Sequence, residues 1–216
     1  MIKELFMRLV KAIYYPLCML FPHKYDKATD IKWFEADAIV GIPFGGHADG
    51  KEIGASNAAI ARVMIRLHES GTMFREIFDK APKPLHMAAQ WEMTDADPKP
   101  RLDVVIGERN NFHISTFEFF YELSRKRPEW RYLIVIAHPD HIWRVKKVAE
   151  KFGFVVLVSM AKIKTIPYDL ESRQPWCRYK WKFPLGIKAA FRSPENWPFM
   201  LWEPFARVHH AIKGWI

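Results

Sequence analysis

Cysteine is scarce: Cys18 and Cys177 are the only two in 216 residues, and both lie in apolar or aromatic settings without metal-ligand spacing. They exclude a disulfide framework and fit a reducing compartment. Long uncharged apolar runs are lacking too. In the opening stretch MIKELFMRLVKAIYYPLCMLFP, Arg8 and Lys11 interrupt the first half and Pro16 breaks the second. The longest uncharged piece there, Ala12 to Pro22, is too short to span a bilayer. No A-x-A-like cleavage site follows, so a secretory signal is not expected. There is no G-x-G-x-x-G, no P-loop lysine motif and no G-x-S-x-G, and neither cysteine follows a strand as a nucleophile would. Repeats, low-complexity tracts and a linker between domains are absent as well. Acidic residues are outnumbered, 24 against 33 lysines and arginines, for a net charge of +9. That excess allows attraction to phosphates, anionic lipid or nucleic acid, but no nucleic-acid module accompanies it, and a solvated basic surface is the plainer reading.

What is present is core-forming material. Half the residues are hydrophobic and nine are tryptophan, which excludes a disordered chain. The length suits one domain with a sizeable core. Three segments are expected: 1–30, an amphipathic helix and connection; 31–160, an α/β core; and 161–216, an aromatic-rich extension packing on that core. In the first, Ile2, Leu5, Phe6, Leu9, Val10 and Ile13 form a helical stripe bordered by Lys3, Arg8 and Lys11. Such a stripe suits peripheral contact with a membrane through residues 1–22, or packing on the domain or a second copy. In the last, Trp176, Trp181, Trp197, Trp202 and Trp215 are interleaved with cations and prolines, and Pro204 to Ile212 reads as a closing helix.

The core alternates strand and helix. Ala36–Ile42, Pro84–Ala89, Leu102–Ile106, Tyr132–Ala137 and Phe154–Met160 are short apolar runs suited to strands buried on both faces. Between them, a helix capped by Ser56 or Asn57 is expected to run to about Glu69 and stop at Gly71, with another turn or two from Phe74. Another runs from about Ser115 to Arg125, with Ser115 or Thr116 and Glu118 suiting its first turn. A third begins at His141 and closes at Gly153. Strands separated by helices of these lengths argue a doubly wound parallel sheet of about five strands, with helices on both faces. Open sheets of this kind place ligands at the carboxyl ends of their strands.

Several chemistry-bearing residues fall at those ends. The loop Pro43-Phe44-Gly45-Gly46-His47 follows the first strand and can bring backbone N–H groups to an anion. Gln90-Trp91-Glu92 follows the second, and Glu108 with Asn110 the third. His138-Pro139-Asp140-His141 follows the fourth, with Arg144 one turn on. Histidine titrates near neutrality and arginine holds a phosphate or carboxylate bidentately. His141 is therefore a candidate acid or base, with Glu92 or Glu108 as its partner, His138 as a further catalytic candidate and Arg144 as anion clamp. A divalent metal on His138, His141 and Glu108 is a weaker alternative.

The order of these pieces resembles the YdcF/SanA/ElyC family, a bacterial domain of unknown function. The shared features are an Asp-x-x-Val strand into a Gly loop (Asp37, Val40, Gly45), a helix ending Leu-x-x-x-Gly (Leu67, Gly71), an acidic residue before a Thr-x-Glu helix start (Glu108, Thr116, Glu118) and a strand followed by His-x-x-Arg (His141, Arg144). The resemblance covers about Asp37 to Ser159. It implies a three-layer Rossmann-like fold, a nucleotide-like or phosphorylated ligand and a link to the cell envelope. Phe44, Gly45, Gly46, Asn57, Gln90, Trp91, Asn110, Thr116, Glu118 and Arg144 are then the ligand-binding candidates. The chain departs from the pattern at Ala88-Ala89-Gln90-Trp91-Glu92, where the family has a glycine pair, and at Phe119, where it has an asparagine. It departs too at Asn57, where an arginine is expected, with Arg62 a turn later. His138 is additional.

Two functions follow as expectations. The first is an enzyme for hydrolysis or group transfer on a small anionic ligand, with a nucleotide or S-adenosylmethionine among the candidate cofactors. The second is a non-catalytic binding or envelope-associated protein using the N-terminal stripe and the C-terminal aromatics. Either is expected in the cytoplasm, peripheral to the inner membrane if the stripe meets lipid, with no nucleic acid as partner.

Overall fold

A computed structural model describes residues 35–45, 53–78, 84–108, 114–172, 208–209 and 211–214, without the side chains of 73–78. The stripe of residues 1–22, Gly46, Asn110 and the tryptophans beyond residue 172 lie outside the described residues.

The five apolar runs pair into one sheet, each as a shorter strand than its run: β1 Ala38–Gly41, β2 His86–Gln90, β3 Val104–Ile106, β4 Tyr132–Ile136 and β5 Val155–Leu157. All pairs are parallel, in the order β3-β2-β1-β4-β5. β1 is central, with Ile39 beside Met87 on one side and Ile134 on the other. All four of its residues are buried, which is why the run is continuous in its apolarity rather than alternating.

Helices cover both faces. α1, Ala55–Phe78, joins β1 to β2; α2, Thr116–Lys126, joins β3 to β4; α3, Pro139–Lys151, joins β4 to β5. A short α4, Met160–Ile163, follows β5. The connection from β1 runs toward one edge of the sheet and those from β3 and β4 toward the other, so right-handed crossovers set α1 on one face and α2 and α3 on the opposite one. The contacts agree: α1 packs on β1, β2 and β4 and meets α4, while α2 and α3 pack on each other. The result is a three-layer, Rossmann-like α/β fold. β2 and β3 are joined instead by a 3-10 helix, Trp91–Asp95, and a proline-containing loop.

The helix ends follow local chemistry, with one correction. Ser115 caps α2 in a full capping box, accepting from Glu118 N while the Glu118 carboxylate accepts from Ser115 N at 2.8 Å. α3 starts two residues earlier than expected, with His138 as N-cap and Pro139 at its first position. It ends in a Schellman arrangement, Gly153 at φ 84° bonding Glu150 O and Phe154 bonding Ala149 O. The correction is α1, which does not stop at Gly71 but continues as one 24-residue helix. A Cβ at Gly71 would come within 2.8 Å of Leu85 Cδ2, so the glycine lets the approach to β2 lie close against the helix. An interior glycine costs about 1 kcal/mol against alanine, an amount tertiary packing readily exceeds.

Near the chain end Val208, His209, Ala211 and Ile212 are helical, and Ala211 is buried in the hydrophobic core. Among the described residues no helix is long and apolar enough to cross a membrane.

Candidate functional site

β1 and β4 lie side by side, and their connections depart in opposite directions. A crevice therefore opens between the loops that follow them, the switch point at which open α/β sheets bind ligands. Phe44 enters it from β1 and His138 from β4. Their rings stack with centroids 4.0 Å apart and planes 8° apart. The Phe44 loop is fixed by Asn57 in the first turn of α1, whose Oδ1 accepts from Phe44 N and whose Nδ2 donates to Gly45 O, both at 2.8 Å. Gly45 takes φ 75°, a left-handed conformation that suits glycine there. Asn57, 2% exposed, therefore acts on the loop rather than as the cap of its own helix.

Tyr168, from the segment after α4, closes this stack edge-on, its ring 4.3 Å from His138 and 6.0 Å from Phe44. Its hydroxyl donates to Asp140 Oδ2. His138 Nδ1 accepts from Asp140 N at 3.3 Å, so that nitrogen carries no proton and the 3.9 Å approach of Asp140 Oδ2 is not an ion pair.

One turn into α3 the polar groups form a directed chain. Arg144 Nη2 lies 2.9 Å from His141 Nδ1, and His141 Nε2 lies 3.3 Å from Thr116 Oγ1. A guanidinium only donates, so Nδ1 accepts and the imidazole proton must sit on Nε2, donated to Thr116. His141 is thereby held neutral in one tautomer, and the Thr116 hydroxyl is left to donate elsewhere. Thr116 is the first residue of α2, so the chain ties the starts of α2 and α3 together across the crevice mouth.

Glu92 and Glu108 stand apart from this chain. Neither makes a hydrogen bond or ion pair to His141. Glu108 is exposed after β3. Glu92 Oε2 is shut off from solvent without a hydrogen-bond partner, and burial holds the carboxyl above the usual carboxylate range, its own backbone N–H opposing this in part. Gln90 Nε2 donates to Ile114 O at 2.9 Å and ties the end of β2 to the approach to α2. Trp91 packs beside Gly107, where a Cβ would come within 3.2 Å of its ring and clash with Ile114. The Glu118 carboxylate is taken up by the capping box. Among the described residues no three of His, Cys, Asp and Glu are grouped as a metal site requires, so His138, His141 and Glu108 are not assembled as one.

Tyr168 and Ser56, whose Oγ donates to Pro167 O at 2.7 Å, are the contributors that sequence reasoning missed. The local signal at Tyr168 is the turn-forming Pro167-Tyr168-Asp169, which points to no site, and Ser56 reads from the sequence only as a helix cap. No protein-family model, curated protein or solved structure matches this chain.

Proposed function

We propose that the chain binds a small anionic ligand, nucleotide-like or phosphorylated, at the carboxyl edge of its sheet, and that it is a YdcF-like protein acting on that ligand by hydrolysis or group transfer. The observation that carries this reading is the chain Arg144–His141–Thr116 at the crevice mouth. It presents a guanidinium and a hydroxyl, both donors, and an imidazole whose Nδ1 accepts from that guanidinium's Nη2. An anion that draws Arg144 toward itself releases Nδ1, which then serves as general base. Glu92, protonated to higher pH than an ordinary glutamate, is the acid candidate on the neighbouring strand end.

The test is a thermal-shift series with inorganic pyrophosphate, nucleotides, sugar phosphates and S-adenosylmethionine. A ligand at a hundred times its Kd stabilises by about 2.7 kcal/mol, a shift of a few degrees at this size. The shift should vanish in Arg144→Ala. His141→Ala should retain binding and lose turnover; if it retains both, the chain is a binding protein and the catalytic half of the reading is wrong. No shift with any ligand would remove the anion reading altogether and leave the envelope-associated alternative, tested by liposome binding with and without residues 1–22.

A further inference from the structure

The first turn of α1 has backbone donors that go unused. Among the described residues no hydrogen bond takes up the N–H groups of Ala55, Ser56 or Asn57, while Gly54 O already accepts from Ala58 N at 2.9 Å. Gly54 is therefore the N-cap residue, with no side chain to cap with. The space its Cβ would occupy is filled by Oδ2 of Asp169. Asp169 is 4% exposed; its Oδ1 accepts from Glu171 N at 3.1 Å, but among the described residues Oδ2 has no hydrogen-bond partner. A buried carboxylate oxygen without a donor is unfavourable, and what offsets it here is the positive end of α1.

The residues beside Asp169 cover the crevice. Pro167 O is held by Ser56 Oγ, and Tyr168 lies across His138 and Phe44 with its hydroxyl on Asp140. Residues 167–169 thus form a strap that joins the start of α1 to the mouth of the switch-point crevice.

We propose that the amino terminus of α1 is a phosphoryl-binding subsite whose place Asp169 holds in the resting chain. The carboxylate stands in the field of the helix terminus but makes none of its hydrogen bonds. A phosphoryl group, with more oxygens and more charge, takes the N–H groups that Asp169 leaves unbonded. Its entry displaces Asp169 and, through the peptide link, lifts Tyr168 from His138 and opens the crevice that Arg144 and Thr116 face. The inference rests on the anionic-ligand reading and deepens it, assigning the phosphoryl end of the ligand to α1.

The test is isothermal titration of the full chain with inorganic pyrophosphate. Asp169→Asn keeps the side chain's shape and removes its charge, and should tighten binding by about tenfold. Gly54→Ala, whose Cβ takes the space of Oδ2, should shift affinity the same way. Amide exchange at Tyr168 to Ser172 should quicken when pyrophosphate is added to the parent chain. Unchanged or weaker binding in Asp169→Asn, or slower exchange on adding pyrophosphate, would overturn the subsite and leave Asp169 as a surrogate cap. The two readings separate through Arg144→Ala. If that variant loses binding while Asp169→Asn changes nothing, the anion reading stands and the subsite falls. If Asp169→Asn tightens binding and Arg144→Ala has no effect, the subsite stands and the role of Arg144 falls. No binding by parent or Asp169→Asn overturns both.

Discussion

At the amino ends of the strands, acids are spent on the fold; at the carboxyl ends, some keep a buried oxygen with capacity to spare. Asp37, just before β1, accepts through Oδ2 from Arg131 N at 2.6 Å and Tyr132 N at 2.8 Å, and its own N–H bonds Tyr132 O. Asp103 does the same for β2, accepting from Met87 N at 2.8 Å, with His86 Nδ1 3.4 Å from its other oxygen. These carboxylates pin strand starts that no ladder bond would otherwise complete. At the opposite edge, Glu92 and Asp169 each keep a buried oxygen without a donor. The difference separates the end that stabilises the sheet from the end able to bind, and it bears on Asp37 in particular. The resemblance placed Asp37 in a family motif, yet it lies at the edge away from the crevice and serves the pairing of β1 with β4.

The largest expected effect that tests this comparison is at Asp37. Asp37→Ala strands two backbone N–H groups at the start of β4 and should destabilise by about 3 kcal/mol, read as a fall in the urea midpoint with any ligand affinity unchanged once folded. A loss of affinity at full stability would break the division between the two edges. Asn57→Ala comes next: two hydrogen bonds to the Phe44 loop disappear, for about 1–2 kcal/mol, and here affinity should fall along with stability because the loop carries the crevice wall. Stability loss alone would make the loop clamp purely structural.

The smallest effect is at Glu92 and depends on pH. Burial raises its folded pKa above the unfolded value, so the folded state binds this proton more tightly. Its contribution is fully present below the ordinary glutamate value of about 4.3 and is lost as pH rises through the folded value. Glu92→Gln should therefore match the parent in thermal midpoint near pH 4 and exceed it at pH 8. Equal midpoints at both ends would show that the carboxyl is solvated and is no buried acid.

Much of the fold was legible because its causes are local. A strand buried on both faces must be apolar throughout, so β1 and β4 stand out as runs; the Ser115–Glu118 box and the Gly153 stop are chemistry within a few residues. α1 reads as two helices in the sequence for the same reason: glycine is a local stop signal, and only Leu85, approaching from the far side of a loop, explains its presence inside a helix. The candidate site was legible in part. His138, His141 and Arg144 follow a central strand, and that position alone marks them. Which groups they would meet was not, since Glu92 and Glu108 share the same edge of the sheet but Thr116 and Tyr168 reach the histidines.

By itself, then, the sequence determined the alternation of strand and helix, the helix caps on either side of β4 and the placing of histidine and arginine at a strand end. Periodicity and capping act over a few residues, and they are written in the order of the chain. The tertiary structure alone decided that β1 lies beside β4, that Ser56 holds a carbonyl 111 residues away and that Tyr168 closes over Asp140 from 28 residues on. Those contacts depend on strand order and on how the sheet closes its crossovers, and no local period encodes either.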